Sequence, residues 1–129
     1  MTAPTAGYVL VGGRSSRFGA DKALLDWHGR PLALHVAAQV AQAAGSVTLV
    51  GAPDRYLALG LPVIPDPVTG FGPLAGLCAA LDHSQADWNL VVACDLPHLH
   101  AAFLTDLLDR ANAEDPDVLL PLDHHGRPE

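Results

Sequence analysis

From Gly12 to Lys22 the chain reads Gly-Gly-Arg-Ser-Ser-Arg-Phe-Gly-Ala-Asp-Lys, packing three glycines, two hydroxyls and three cations into eleven residues. Glycine lets backbone N–H groups approach a polyphosphate, and nearby cations offset its charge and that of a leaving pyrophosphate. An ordinary glycine turn beside a solvated basic patch has the same composition, so on composition alone both readings stand. Two known phosphate loops do not fit. G-x-x-x-x-G-K-[ST] places four residues between its glycines, whereas five separate Gly13 from Gly19 and Ala20 follows; the segment also lacks G-x-G-x-x-G. Lys22 is the single lysine of the chain.

Two acids sit where a ligand is plausible in chemical terms. Asp95 follows Trp88–Cys94, the most β-rich run, and reads either as a cap or turn former before Pro97 or as a cation ligand. Asp66, between Pro65 and Pro67, reads equally as a turn acid. Gly70-x-Gly72-Pro73 would let a helix begin close to a ligand, although loop flexibility explains the same glycines. His98, His100 and the His124-His125 pair have no matching acid or cysteine spacing, which favours surface or capping histidine over metal ligation. No Ser-His-Asp or Cys-His arrangement stands out.

The elements that must position these residues follow from apolar spacing. Tyr8–Val11 predicts a buried strand feeding the Gly12-Gly13 turn, and Leu24–Trp27 a short strand closed at His28-Gly29. Pro31 suits the first position of a helix reaching Ala44, with Leu32, Val36 and Val40 on one face and Gly45 as the stop. Val47–Val50 is the next strand, then a helical piece near residues 55–59 and an extended Leu61–Ile64, placed at an edge by Pro62. A helix from Pro73 is expected to bury Leu74, Leu77, Cys78 and Leu81, and a helix from His100 to Ala113 to bury Phe103, Leu104, Leu107, Leu108 and Ala111. Val118–Leu120 opens one more strand. Strands alternating with helices predict an α/β fold in three layers, a mostly parallel Rossmann-like sheet with helices on both faces. Ligands of such sheets bind beyond the carboxyl ends of the strands, where Gly12–Lys22 and Asp95 both fall.

Composition bounds the rest. The 129 residues suit one domain, and 50% hydrophobic with 16% charged residues excludes a disordered chain. The net charge of −7 argues against a partner with a nucleic-acid backbone. That sum conceals a basic island: residues 12–30 hold Arg14, Arg17, Lys22 and Arg30 against Asp21 and Asp26, while three cations face twelve acids elsewhere. Cys78 and Cys94 cannot build a disulfide framework and read as buried, reduced thiols. Residues 31–53 carry no charge, but His35, Gln39, Gln42 and Gly45 interrupt them too often for a membrane span. A cytoplasmic protein without signal peptide is expected.

The pattern Leu10-x-Gly-Gly-x-Ser-x-Arg-x-Gly-x-Asp-Lys22 resembles the signature of molybdenum cofactor guanylyltransferases, the MobA-like branch of the nucleotidyltransferase superfamily. Val63-Ile-Pro-Asp66, Gly72-Pro-Leu-Ala-Gly-Leu77 and Cys94-Asp-Leu-Pro97 match in order, and the Asp21-Lys22 pair favours this branch. The resemblance implies a nucleotide-diphospho-sugar-transferase-like fold. It implies a nucleotide site at Leu10, Gly12, Gly13, Ser15, Lys22, Asp66 and Asp95, phosphate-contacting cations at Arg17 and Lys22, and Mg²⁺ held by Asp95.

The activity so implied moves GMP from GTP to the phosphate of molybdenum-molybdopterin and releases pyrophosphate, with Arg17, Lys22 and Asp95 as catalytic residues. Related enzymes use CTP or another phosphorylated acceptor, and an inactive nucleotide-binding fragment is the reading from a different class. Partners would be GTP, a molybdopterin-type acceptor and proteins of molybdenum cofactor biosynthesis or use. Where the family carries an Asn after the second strand, this chain has Val50-Gly51-Ala52, so that contact is absent or made by backbone. The family also continues past His124–Glu129, so residues 1–129 are expected to be one nucleotidyltransferase-like domain that is incomplete at its C-terminus.

Overall fold

A computed structural model describes residues 4–11, 24–65, 73–94 and 98–119. Its first strand, β1 (Thr5–Leu10), begins three residues earlier than the apolar run suggests. A two-stranded hairpin follows, β2 (Asp26–Trp27) with β3 (Arg30–Pro31). Both central residues have positive φ, 52° at His28 and 88° at Gly29, the two-residue turn whose twist matches the strands. Helix α1 (Leu32–Ala44) comes next, then β4 (Thr48–Val50), α2 (Pro53–Tyr56), a 3₁₀ turn over Leu57–Leu59, and β5 (Val63–Ile64). Helix α3 (Pro73–His83), β6 (Trp88–Ala93) and α4 (Ala101–Glu114) complete the described elements.

Four strands form a parallel sheet in the order β5-β4-β1-β6. Six residues of β1 pair with β6, from Thr5↔Trp88 to Leu10↔Ala93, and three pair with β4, from Tyr8↔Thr48 to Leu10↔Val50. The three-layer α/β reading holds, because successive β1 residues face opposite helices. Val9 and Val11 join Leu32, Val36 and Val40 of α1, Leu104 of α4 and Tyr56 of α2 in the larger core. Ala6, Tyr8 and Leu10 face the other way, against Ala79 and Ala80 of α3. On the same face as Val9 sits Gly7, where a Cβ would collide with Val40 Cγ1 and the Ser46 carbonyl, so α1 lies directly on the strand.

Helix α1 buries the expected Leu32, Val36 and Val40, and ends at Gly45 with φ 88° and its N–H bonded to the Ala41 carbonyl at 2.8 Å. Pro31 differs from expectation by one position: at ψ 140° it is the extended residue before the helix, tied into the hairpin opposite Asp26. The edge position of Leu61–Ile64 holds, since β5 ends the sheet and the carbonyl of Pro62 accepts from Leu49 N–H at 2.8 Å.

Helix α3 corrects the expected stripe. Among its described side chains Ala75, Ala79 and Ala80 are buried, as is Gly76, whereas Leu77 is half-buried, Cys78 is exposed and Leu81 is 50% exposed; the side chain of Leu74 lies outside what is described. The sheet face beneath α3 is already filled by Tyr8, Leu10, Ile64 and Val91, so small residues let the helix approach. A Cβ on Gly76 would sit 2.9 Å from Leu10 Cδ2. The expectation of two buried thiols therefore holds for Cys94 alone.

Helix α4 buries Leu104 and Ala111, with Leu107 and Leu108 at the margin, but Phe103 is 42% exposed and lies outside the stripe. Val118 pairs with no strand and is 70% exposed, so the expected strand is not seen at Val118 or Leu119; Leu120 lies outside the described residues. Among the described residues, no helix is long and apolar enough to cross a membrane.

Candidate functional site

The four parallel strands end at one edge of the sheet, and their last residues are tied together in a row. Cys94 N–H donates to the Leu10 carbonyl at 3.2 Å, Val11 N–H to the Val50 carbonyl at 3.0 Å, and Gly51 N–H to the Ile64 carbonyl at 2.9 Å. The chain moves from β1 outward to β4 and β5, then crosses back to β6 on the other side of β1. Strand order thus reverses between β1 and β6, and the crevice beyond such a reversal is where open α/β sheets bind ligands.

Of the residues singled out by sequence, Leu10 is described. It is the last residue of β1, half-buried on the α3 side and packed beneath Gly76. Gly12, Gly13, Ser15, Arg17 and Lys22 lie outside the described residues, as do Asp66 and Asp95. What is described are their flanks. Val11 precedes Gly12, Pro65 precedes Asp66 and Cys94 precedes Asp95, and all three stand at the carboxyl ends of parallel strands of one sheet, β1 and β6 side by side and β5 beyond β4. In place of the family's Asn, Gly51 is buried and Ala52 is the extended residue before α2, so neither side chain offers a polar contact.

Two features at this edge escaped the sequence. Tyr56 is 1% exposed, and its hydroxyl donates to the Val11 carbonyl at 2.9 Å. It belongs to no motif, and only the fold brings it across 45 residues to the end of β1. Trp27 in the hairpin meets His28 edge-on at 4.9 Å between ring centroids and His98 at 5.5 Å, while His28 stands 6.0 Å from His35 of α1. Three segments therefore share one aromatic cluster beside the sheet end. Among the described residues, no group of three His, Cys, Asp or Glu side chains is arranged to hold a metal ion. For a hard divalent cation such as Mg²⁺ the fitting donor type is a carboxylate, and Asp66 and Asp95 each come two residues after a strand that ends at this edge.

Residues 7–129 match the family described as MobA-like NTP transferase domain. A molybdenum cofactor guanylyltransferase of Bordetella pertussis is 35% identical over 118 residues, 88% of this chain and 60% of that protein. A probable molybdenum cofactor guanylyltransferase of Deinococcus radiodurans is 42% identical over 105 residues, 81% of this chain and 54% of that protein. The chain thus spans about three-fifths of the length of such relatives. Among solved structures, molybdopterin-guanine dinucleotide biosynthesis protein A from Archaeoglobus fulgidus superimposes with a TM-score of 0.72 at 25% identity, covering 95% of this chain and 64% of that one.

Proposed function

Because this chain belongs to the family of MobA-like NTP transferase domains, we propose that it carries the nucleotide-binding portion of an enzyme moving GMP from GTP to a molybdopterin-type phosphate. The observation that best supports this reading is the convergence of the β1, β5 and β6 carboxyl ends, each directly followed by a segment of the family signature. The guanylyltransferase names of relatives covered over four-fifths or more of this chain support the donor and acceptor.

The proposed chemistry demands little beyond positioning. An oxygen of the acceptor phosphate attacks the α-phosphorus of GTP; the bond from that phosphorus to the bridging oxygen breaks, and pyrophosphate leaves. A phosphomonoester has its second pKa near ~6, so the nucleophile is already largely ionised at neutral pH and no protein base is required. Arg17, Lys22 and the N–H groups of the Gly12-Gly13 turn would spread the negative charge that grows on the departing pyrophosphate. Asp95 would hold Mg²⁺, which supplies further charge neutralisation when bound. Holding the acceptor in line with the α-phosphorus is the remaining task, and a rigid sheet edge suits it.

The alternative reading is nucleotide binding without turnover. Pyrophosphate release measured with each nucleoside triphosphate, Mg²⁺ and molybdopterin separates the two. Turnover with GTP is expected. GTP binding without pyrophosphate release would establish the second reading, and turnover with CTP alone would reassign the donor.

A further inference from the structure

We infer that Tyr56 is a positioning residue for triphosphate binding, acting through the backbone of Val11; this rests on the nucleotidyltransferase reading of the same sheet edge. Strand β1 ends in a ladder whose donors and acceptors alternate between its two neighbours. Leu10 points its carbonyl toward β6, where Cys94 N–H meets it at 3.2 Å, and Val11 points toward β4, its N–H bonded to the Val50 carbonyl at 3.0 Å. Continuing the ladder would require β4 to run on alongside Val11. Instead the chain turns at Ala52 (φ −74°, ψ 113°) into α2, and Tyr56, one turn later, brings a hydroxyl to the Val11 carbonyl at 2.9 Å. A side chain thus stands where the strand would otherwise supply the donor.

The consequence lies in the peptide unit. Because the unit is planar, holding the Val11 carbonyl fixes the plane in which the chain enters residue 12. Its carbonyl edge is held on the β4 side, by the element that follows β4. Tyr56 is well placed to hold this orientation rigidly: its ring is 1% exposed within the larger core, and it belongs to the element following β4 rather than to the glycine segment itself. Glycine loses more backbone freedom on ordering than any other residue, so a fixed carbonyl immediately before Gly12-Gly13 lowers the cost of binding at that turn.

The test compares two tyrosines of the same chain. Tyr56→Phe removes the hydroxyl and keeps the ring. Tyr8→Phe removes the hydroxyl of another buried tyrosine ring, whose part-buried bond to His83 Nδ1 at 2.9 Å, on the last residue of α3, lies on the other face of the sheet, and so reports the general cost of losing a tyrosine hydroxyl. Affinity for Mg²⁺-GTP is measured by calorimetry, and amide hydrogen exchange is followed over residues 11–23, at a temperature where circular dichroism shows both variants folded. Tyr56→Phe is expected to weaken Mg²⁺-GTP binding about five-fold, the scale of one hydrogen bond, and to speed exchange in residues 11–23 without nucleotide. Tyr8→Phe should leave both near wild type. Equal affinity and exchange in wild type and Tyr56→Phe would overturn the inference while leaving the nucleotidyltransferase reading intact. Failure of the wild-type chain to bind any nucleoside triphosphate would overturn that reading, and the inference with it.

Discussion

Lys22 is the residue on which most of the proposed chemistry depends. It is the one lysine of the chain, embedded in the stretch where cations outnumber acids. If it meets the triphosphate, Lys22→Ala should weaken Mg²⁺-GTP binding by about tenfold, some ~1.4 kcal/mol. Unchanged affinity by calorimetry would give the basic island another purpose. Asp95 carries a different expectation, because its partner is a cation. Asp95→Asn keeps size and hydrogen bonding but removes the charge, and should lower turnover by about a hundredfold or more at fixed Mg²⁺. An unaltered Mg²⁺ titration of turnover would remove Asp95 from the metal site. Both residues are singled out by their spacing in the family signature rather than by their chemistry, since a glycine turn and a turn acid look much the same, and both lie outside the described residues. Tyr56 was not legible at all. A tyrosine in a short helix gives no sign that its hydroxyl ends on a backbone carbonyl 45 residues earlier.

At the scale of elements, legibility depended on which residues are large. Leu32, Val36 and Val40 are bulky, recur every four positions and face the sheet, so periodicity and burial agree in α1. Helix α3 carries a large stripe and a small one, and the sheet takes the small one, Ala75, Gly76, Ala79 and Ala80, leaving Leu81 half in solvent. Side-chain size set against an already crowded sheet face cannot be read from one segment alone. The same logic applies to Gly7, whose missing side chain is what lets α1 lie on β1. Gly7→Ala should lower stability by about 1–3 kcal/mol through overpacking against Val40 and the backbone of Ser46, read as a lower midpoint in urea with unchanged slope. A stability equal to wild type would mean that α1 can move outward without cost. Elements also fix one another: the side-chain oxygen of Gln39 in α1 accepts from Ala101 N–H at 2.8 Å, capping the start of α4 from a neighbouring helix.

Across the whole molecule, charge is divided rather than merely negative. Four of seven cations fall within residues 12–30, and the remainder of the chain is strongly acidic. With a sequence pI near 5.3, solubility should pass through a minimum close to that pH and recover on either side, observable by light scattering across a pH series. A monotonic rise of solubility toward low pH would show that the net charge is a poor guide to association here.

The sheet order has a further consequence for how the chain acquires its structure. Strand β1 lies between β4, which begins at Thr48, and β6, which begins only at Trp88, and the pairing with β6 is the longer of the two. During synthesis from the N-terminus, β1, α1, β4 and β5 can assemble first, leaving one side of β1 as an open template until β6, which begins at Trp88, has emerged. Contacts between such distant segments form slowly, because the intervening loop must close before any bond rewards it. The central strand, which leads into the glycine segment, therefore stays half-paired until β6 arrives, and on that side a nascent chain is exposed to mispairing.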